Sequence, residues 1–330
     1  MIDTSYLNNI VTVQQLHSRG YTAALIERSV RKGELINLAK SIYASREPLP
    51  GLETFVADLG TLLLRCGPNA VASHRSAALL HGFDDATKDF IEVTAEATRG
   101  CRIPGVTRSA TIRSGDRVVL WGIPCTSVPR TLLDLAQVLN LDQLEMVVES
   151  ALRGPDSFRP DEWNEDLLGE LLARIDLGAS KGISSLRAVL ARRPKNTRPT
   201  GSAIETLLVQ AVRKSGGTDL DRQLTVRIIG PRGNVIRTLY PDFGELDCGL
   251  IVEADGVDAH TGPKSLERDL ARQNELVGVF SILRFPGTLI TANPTKVAGD
   301  IAHARRTLPR HRLQNRPDIR FTPFGVDIIR

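Results

Sequence analysis

No C-x-x-C pair occurs in this chain of 330 residues, and its four cysteines, Cys66, Cys101, Cys125 and Cys248, are scattered. That spacing excludes a zinc ribbon and fits a disulfide-stapled scaffold poorly. Long apolar runs are missing as well. No stretch reaches the ~18 uncharged apolar residues that a membrane span needs. The first residues, MIDTSYLNNIVTVQQL, have no basic segment leading into an apolar one, so no secretion signal is expected and the expected compartment is the cytoplasm. Aromatic residues make up 5% of the chain, which argues against rows of stacking rings for single strands. The P-loop, G-x-S-x-G, H-E-x-x-H and G-x-G-x-x-G patterns are absent, so ATPase, α/β-hydrolase, zincin and Rossmann readings have no support.

What is present is an ordinary globular composition, 42% hydrophobic and 24% charged. The length points to two or three domains. Forty-two Lys and Arg against 38 Asp and Glu give a formal charge of only +4, a weak global sign of a nucleic-acid partner. The distribution is more telling. Arg28, Arg31, Lys32, Lys40 and Arg46 lie close together, and HARRTLPRHRLQNRPDIR near the C-terminus is densely basic. Such local patches fit either a DNA-contacting surface or a solvated face.

The pattern divides the chain into a multidomain α/β protein. Residues 1–50 read as short helices followed by a strand pair: VTVQQLHSRG and TAALIERSVRKG each carry helical spacing and a terminal glycine, and ELINLAKSIYA alternates around a turn. Helix, turn, helix and hairpin make a winged helix-turn-helix, whose second helix would carry Arg28, Arg31 and Lys32 to double-stranded DNA. The other reading is a small helical packing module with a basic solvated face. Residues 51–191 form a mixed α/β middle domain, in which RTLLDLAQVLNLDQLEMVVESALR reads as one or two amphipathic helices. There Ser73, His74 and Arg75 read as a helix cap with a packed histidine. Residues 192–201, charged and proline-containing, read as a linker.

Residues 202–330 read as an α/β/α core with a mixed sheet and a basic tail. Ser202 is placed to cap a helix with Glu205 in its first turn. Asp242 falls near the end of one strand, and Glu253 and Asp255 share one face of the next. Three converging carboxylates repel unless a hard cation neutralises them, and Mg²⁺ or Mn²⁺ takes oxygen ligands of this kind. Such an ion polarises a phosphodiester and acidifies bound water, and His260 is placed to move a proton.

Two resemblances follow from these residues. VTVQQLHSRGYTAALIERSVRKGELINLAKSIYA, VASHRSAALLHGF and IPCTSVPRTLLDLA, over residues 5 to 150, resemble the AbiEi-type antitoxin and regulator layout common in bacteria, in which an N-terminal winged helix binds promoter DNA. The E-x-x-L from Glu205, P-D-F at Asp242, V-E-A-D-G-x-x-x-H from Glu253 to His260, R-D-x-x-R-x-N-x-L and I-L-R-F resemble the very-short-patch-repair (Vsr-like) branch of the PD-(D/E)XK nucleases, over residues 202 to about 306. That resemblance implies a nuclease core in which Asp242 binds metal, Glu253 fills the acidic position, His260 lies near the scissile phosphate and Glu205 is the acidic residue of the first helix. This sequence departs from the wider superfamily at Asp255, which stands where a lysine is usual. Asp269 and Arg272 would orient His260, bind phosphate, or form a structural ion pair. Arg284 would contact phosphate or pair with a carboxylate. The expectation is a Mg²⁺- or Mn²⁺-dependent endonuclease on duplex DNA, in repair or phage defence. The alternative is a non-catalytic antitoxin or transcription regulator that keeps the nuclease fold for DNA binding. A cognate toxin or a repair partner belongs to these readings; a membrane does not, and no oligomeric state follows from the sequence.

Overall fold

The computed structural model describes residues 10–18, 20–39, 42–44, 52–84, 86, 89–95, 106–108, 112–120, 122–154, 164–176, 182–194, 197–256 and 274–330. They form helices and mixed sheets, and no helix among them is long and apolar enough to cross a membrane. The chain falls into two compact units, residues 1–140 with 170–187, and residues 141–169 with 188–330.

The first unit opens with β1 (Ile10–Thr12), α1 (Val13–Ser18), α2 (Ala23–Arg31), β2 (Ile36–Ala39) and β3 (Ile42–Ala44). Thr22 caps α2 by accepting from the Leu25 amide, and Gly33, at φ +73°, turns the chain after it. The strands form an antiparallel sheet ordered β1-β3-β2. Leu16, Ile26 and Leu35 are buried together, which ties both helices to the strands. There follow α3 (Leu52–Cys66), β4 (Val71–Ala72), α4 (His74–His81), β5 (Val93–Ala95), β6 (Val106–Arg108), β7 (Arg117–Leu120), β8 (Ile123–Thr126) and α5 (Val128–Leu135). The five strands form a mixed sheet ordered β6-β5-β4-β8-β7 around Leu59, Leu80, Val93 and Ile123. Ser73 sits at the N-cap position of α4 but makes no capping bond. Its hydroxyl lies 2.9 Å from His74 Nδ1 and accepts from Thr94, and His74 itself is buried at φ +50°. The packed histidine is there; the serine cap is not.

α6 (Leu141–Arg153) belongs to the second unit; α7 (Glu165–Asp176) and α8 (Ile183–Arg192) each run across a boundary between the units along the chain, and α9 (Ala203–Lys214) lies in the second. Next come β9 (Asp221–Arg222), β10 (Thr225–Ile229), β11 (Val235–Leu239), β12 (Phe243–Glu245), β13 (Leu250–Asp255), β14 (Ser281–Pro286), α10 (Gly287–Ala292), α11 (Pro294–Thr307), β15 (Ile319–Thr322) and β16 (Gly325–Ile329). They build two four-stranded sheets, β14-β13-β12-β9 and β11-β10-β16-β15. β13 serves two cores by simple alternation: Leu250 and Val252 join Leu208 and Phe243, while Ile251 joins Val226 and Ile328.

Three expectations are corrected here. The one mixed sheet expected of residues 202–330 is two sheets, and the hairpin β10–β11 lies in the one without β12 and β13. β10 instead pairs in parallel with β16, inside the segment read as a basic tail. The lack of a side chain at Gly325 permits this pairing, because a Cβ there would run into the Thr225 carbonyl. The middle domain is not one continuous stretch to residue 191: α6 packs on α9, and residues 141–169 belong to the second unit, while residues 170–187 belong to the first. Nor are residues 192–201 a free linker. Arg198 and Thr200 are buried, and Arg198 donates to the Gln223 carbonyl at 2.7 Å.

The physical reason lies on α6, which buries two carboxylates. Glu145 is paired with Arg213, and Glu149 sits between Arg193 at 2.9 Å and Arg222 at 2.8 Å. Burial alone would push the Glu149 carboxyl up, but the Arg222 and Arg193 guanidiniums outweigh it and hold it below the ordinary glutamate range. The cations that this helix needs stand on α9, β9 and the segment after α8, so those parts are bound together.

Candidate functional site

Ser202 and Glu205 begin the site at the start of α9. The Ser202 hydroxyl accepts from the Glu205 amide, and the Glu205 carboxyl accepts from the Ser202 hydroxyl and the Gly201 amide. This is close to the reciprocal capping box that the sequence spacing indicates. A third donor, the Gln223 side-chain amide, reaches the same carboxyl at 2.8 Å. Gln223 holds φ +50°, a left-handed conformation that is rare for a residue with a side chain, and its amide donates to the Asp242 carbonyl.

Asp242 stands just before β12. The register of β12 against β13 sets Phe243 opposite Val252, so Asp242 comes level with Glu253. Its Oδ2 accepts from the Ala254 amide at 2.8 Å. Its charge also lies close enough to Glu205 to matter. Burial pushes the Glu205 carboxyl up, and the Asp242 charge pushes it further, to about 8, against the hydrogen bonds from Gly201, Ser202 and Gln223. At neutral pH Glu205 therefore keeps its proton.

Glu253 and Asp255 share one half-buried face of β13, as alternation requires. Asp255 has a different partner from the one expected. Arg284 on the neighbouring β14 grips both its oxygens, at 2.6 and 3.1 Å. The parallel register sets Arg284 beside Glu253 too. The expected convergence of Asp242, Glu253 and Asp255 on one ion is thus not what the geometry gives. Among the described residues no group of three His, Cys, Asp or Glu side chains is arranged to hold a metal. The donor set that remains, Asp242 and Glu253 with Glu205 beside Asp242, fits a hydrated cation held by two carboxylates; Mg²⁺ commonly uses one or two carboxylates and fills its octahedron with water and phosphate oxygens. Of the two roles open to Arg284, the structure gives it the carboxylate. His260, Asp269 and Arg272 lie outside the described residues.

On α2 and at its C-cap, Arg28, Arg31 and Lys32 are all exposed, and Ile26 and Ser29 face inward. Lys32 approaches Glu34 at 3.7 Å, with both side chains more than half exposed, so the pair holds the lysine only weakly.

Gln223 and Arg198 were missed by sequence reasoning; a carboxylate partner was one of the two roles expected of Arg284, but Asp255 was not named as that partner. Arg284 carried a signal, being the one cation in the strand SILRF, but nothing in the pattern around Gln223 marks it. No protein-family model matches the chain, and no curated protein sequence matches it.

The buried, protonated Glu205 has a measurable consequence. A carboxyl whose pKa is raised by folding contributes stability that is fully present below its ordinary value of 4.5 and lost as pH rises through about 8. Glu205→Gln, with a neutral side chain of the same shape, is expected to remove that loss. In EDTA the variant should gain on the wild type as pH rises from about 4.5 to about 8, by up to roughly 5 kcal/mol at about 1.4 kcal/mol per pKa unit. Urea melts across that pH range check it, and parallel curves for the two proteins would place Glu205 in an ordinary solvated setting.

Proposed function

We propose that the chain is a DNA-binding protein with a divalent-metal-dependent endonuclease activity, and that its first 50 residues are a winged helix-turn-helix. One observation carries the catalytic half: the strand register and the start of α9 bring Glu205, Asp242 and Glu253 to one edge of a sheet, with Gln223 held in a strained conformation to serve Glu205. A buried carboxyl facing a half-buried carboxylate keeps its proton in the empty site, and a hard cation would relieve the repulsion that ionising it creates. Asp242 and Glu253 would hold Mg²⁺ or Mn²⁺, which when bound polarises a phosphodiester and acidifies a water. Glu205 holds Gly201 and Gln223 in place and stays protonated until a cation lowers its pKa. Arg284, beside Glu253, supplies positive charge where a lysine would otherwise stand, with Asp255 orienting it. His260 remains the proposed proton carrier. Incubation with plain, nicked and mismatched duplexes, with Mg²⁺ or Mn²⁺ and with EDTA, tests this reading; the expected result is metal-dependent cutting that EDTA abolishes.

A second reading has its own observation. Asp255 is neutralised by Arg284, and among the described residues no group of three His, Cys, Asp or Glu side chains is arranged to hold a metal. A non-catalytic antitoxin-like regulator that retains the fold for binding would need nothing more. Metal-independent DNA binding with no cutting of any duplex in the same panel would select it.

Both readings use α2. Replacing Arg28, Arg31 and Lys32 together by alanine should weaken duplex binding and lower the salt slope by roughly one for each phosphate no longer neutralised. Anisotropy titrations over a range of salt measure both, and an unchanged slope would remove α2 from the interface.

A further inference from the structure

The sheet β11-β10-β16-β15 buries only one of its faces. β10 sends Val226 and Ile228 into the core, so Thr225, Arg227 and Ile229 lie on the other side. The register places Thr238 and Asp327 beside Arg227, and Arg320 beside Asp327. This second face opens to solvent through two adjoining hollows of about 530 and 280 Å³. Val235, Phe324 and Ile329 line these hollows and are exposed.

Its charge is one-sided. Arg198, Arg227, Arg320 and Arg330 line the hollows, and Asp327 is the one acid lining them. Asp327 is committed to Arg227 through two hydrogen bonds, at 2.7 and 3.1 Å. Arg320, and Arg232 on the turn between β10 and β11, make no ion pair among the described residues. One ring completes the surface. The Arg198 guanidinium, held by the Gln223 carbonyl and the Thr225 hydroxyl, lies 4.7 Å from the centre of the Phe324 ring, and 53% of Phe324 is exposed. A ring fixed from behind by a buried cation and open to solvent is prepared to take a flat partner.

From this we infer that the outer face of the sheet binds a single strand of nucleic acid. Arg232 and Arg320 would meet phosphates, and the ring of Phe324 would stack one base. Unpaired arginines call for an anionic partner. Phe324, Val235 and Ile329 call for one that also offers flat apolar faces, and a duplex hides its base faces within its own stack. An unpaired strand offers both, which is how positively charged grooves with aromatic platforms hold single strands. The low aromatic content argues against a row of rings; here one ring is positioned, with Tyr240 lining the same hollow. The inference stands on this face alone and does not depend on the nuclease reading.

The test uses the full chain in EDTA, which prevents cutting, with a fluorescent short oligothymidylate and a hairpin duplex as separate probes. Phe324→Ala is expected to weaken oligothymidylate binding about 5- to 100-fold, the usual range for one stacked base, and to leave the duplex affinity unchanged. Arg232→Ala/Arg320→Ala should weaken it further and reduce the salt slope by about 0.7 per phosphate, as for single strands. Phe324→Leu keeps apolar bulk in the hollow and separates stacking from packing, so it should bind as weakly as the alanine variant. Oligothymidylate affinity unchanged in these variants, or equal losses on both probes, would overturn the inference, as would a wild-type chain that does not bind the oligothymidylate. None of these outcomes bears on cutting, which is read with metal on a duplex.

Discussion

Glu149→Ala is expected to destabilise the second unit by about 3–5 kcal/mol, the usual cost of removing one partner from a buried ion pair. The glutamate is fully buried on α6 and bonds Arg193, Arg222 and the Thr200 amide at once. The side chains of Arg193 and Arg222 are only 6% and 1% exposed. Without the carboxylate two guanidiniums remain in the interior, and Arg222 already has one nitrogen, Nε, with no hydrogen-bond partner. Glu149→Gln keeps the shape and one acceptor and should lose less. The same geometry fixes a pH dependence. A carboxyl held below its ordinary value contributes stability that is present above about pH 4.5 and is lost as pH falls through the lower folded value. Urea melts of both variants near neutrality, repeated in acid, check the two claims. A loss below about 1 kcal/mol, typical of exposed pairs, would mean that residues 192–201 are a loose connection after all.

That network explains why the domain boundaries were only partly legible. Hydrophobic periodicity located α6 correctly as an amphipathic helix, but periodicity says nothing of which unit a helix joins. The deciding residues are Glu145 and Glu149, whose partners lie at Arg213, Arg222 and Arg193. Charged residues at helical spacing read as a solvated face unless their distant partners are known. The segment RRPKNTRPTGS misled for the same reason, since its charge and prolines resemble a linker while Arg193, Arg198 and Thr200 are buried. Near the C-terminus, basic composition concealed the alternation of GVDII, whose Val326 and Ile328 face the core.

The candidate site was more legible, because its parts are local. Ser202 with Glu205 is a capping pattern at fixed spacing, and Glu253 with Asp255 is a simple period of two. Asp242 required one further step, the pairing of β12 with β13, and the P-D-F turn before an apolar strand was sufficient for it. The partner of Asp255 was not legible. Whether a strand carboxylate faces a cation on the next strand depends on register, and the parallel register of β13 with β14 is set by a connection of 25 residues between Asp255 and Ser281.

Asp242→Asn separates what the geometry fixes from what the chemistry requires. Asparagine keeps an oxygen that can accept from the Ala254 amide, so the edge of β13 and the fold should persist. The charge beside Glu205 is gone, however. Glu205 should then ionise at lower pH, and in EDTA the variant should be more stable than the wild type as pH rises toward 8, with little difference below 4.5, where Glu205 is protonated in both. That outcome needs no activity and reports only that the two carboxyls face each other. The catalytic half is read separately. Removing one of the two carboxylates proposed to hold the cation should abolish Mn²⁺ binding by titration calorimetry. It should also cut duplex cleavage by at least roughly 10²–10³-fold, the loss usual when one charge-stabilising group is removed from a site, while DNA binding through α2 survives. A variant that gains stability at high pH but cleaves as well as the wild type would leave the Glu205–Asp242 pair intact and remove it from the chemistry. A wild-type chain that neither binds metal nor cuts any duplex would leave the pair as a relic of structure in a DNA-binding regulator.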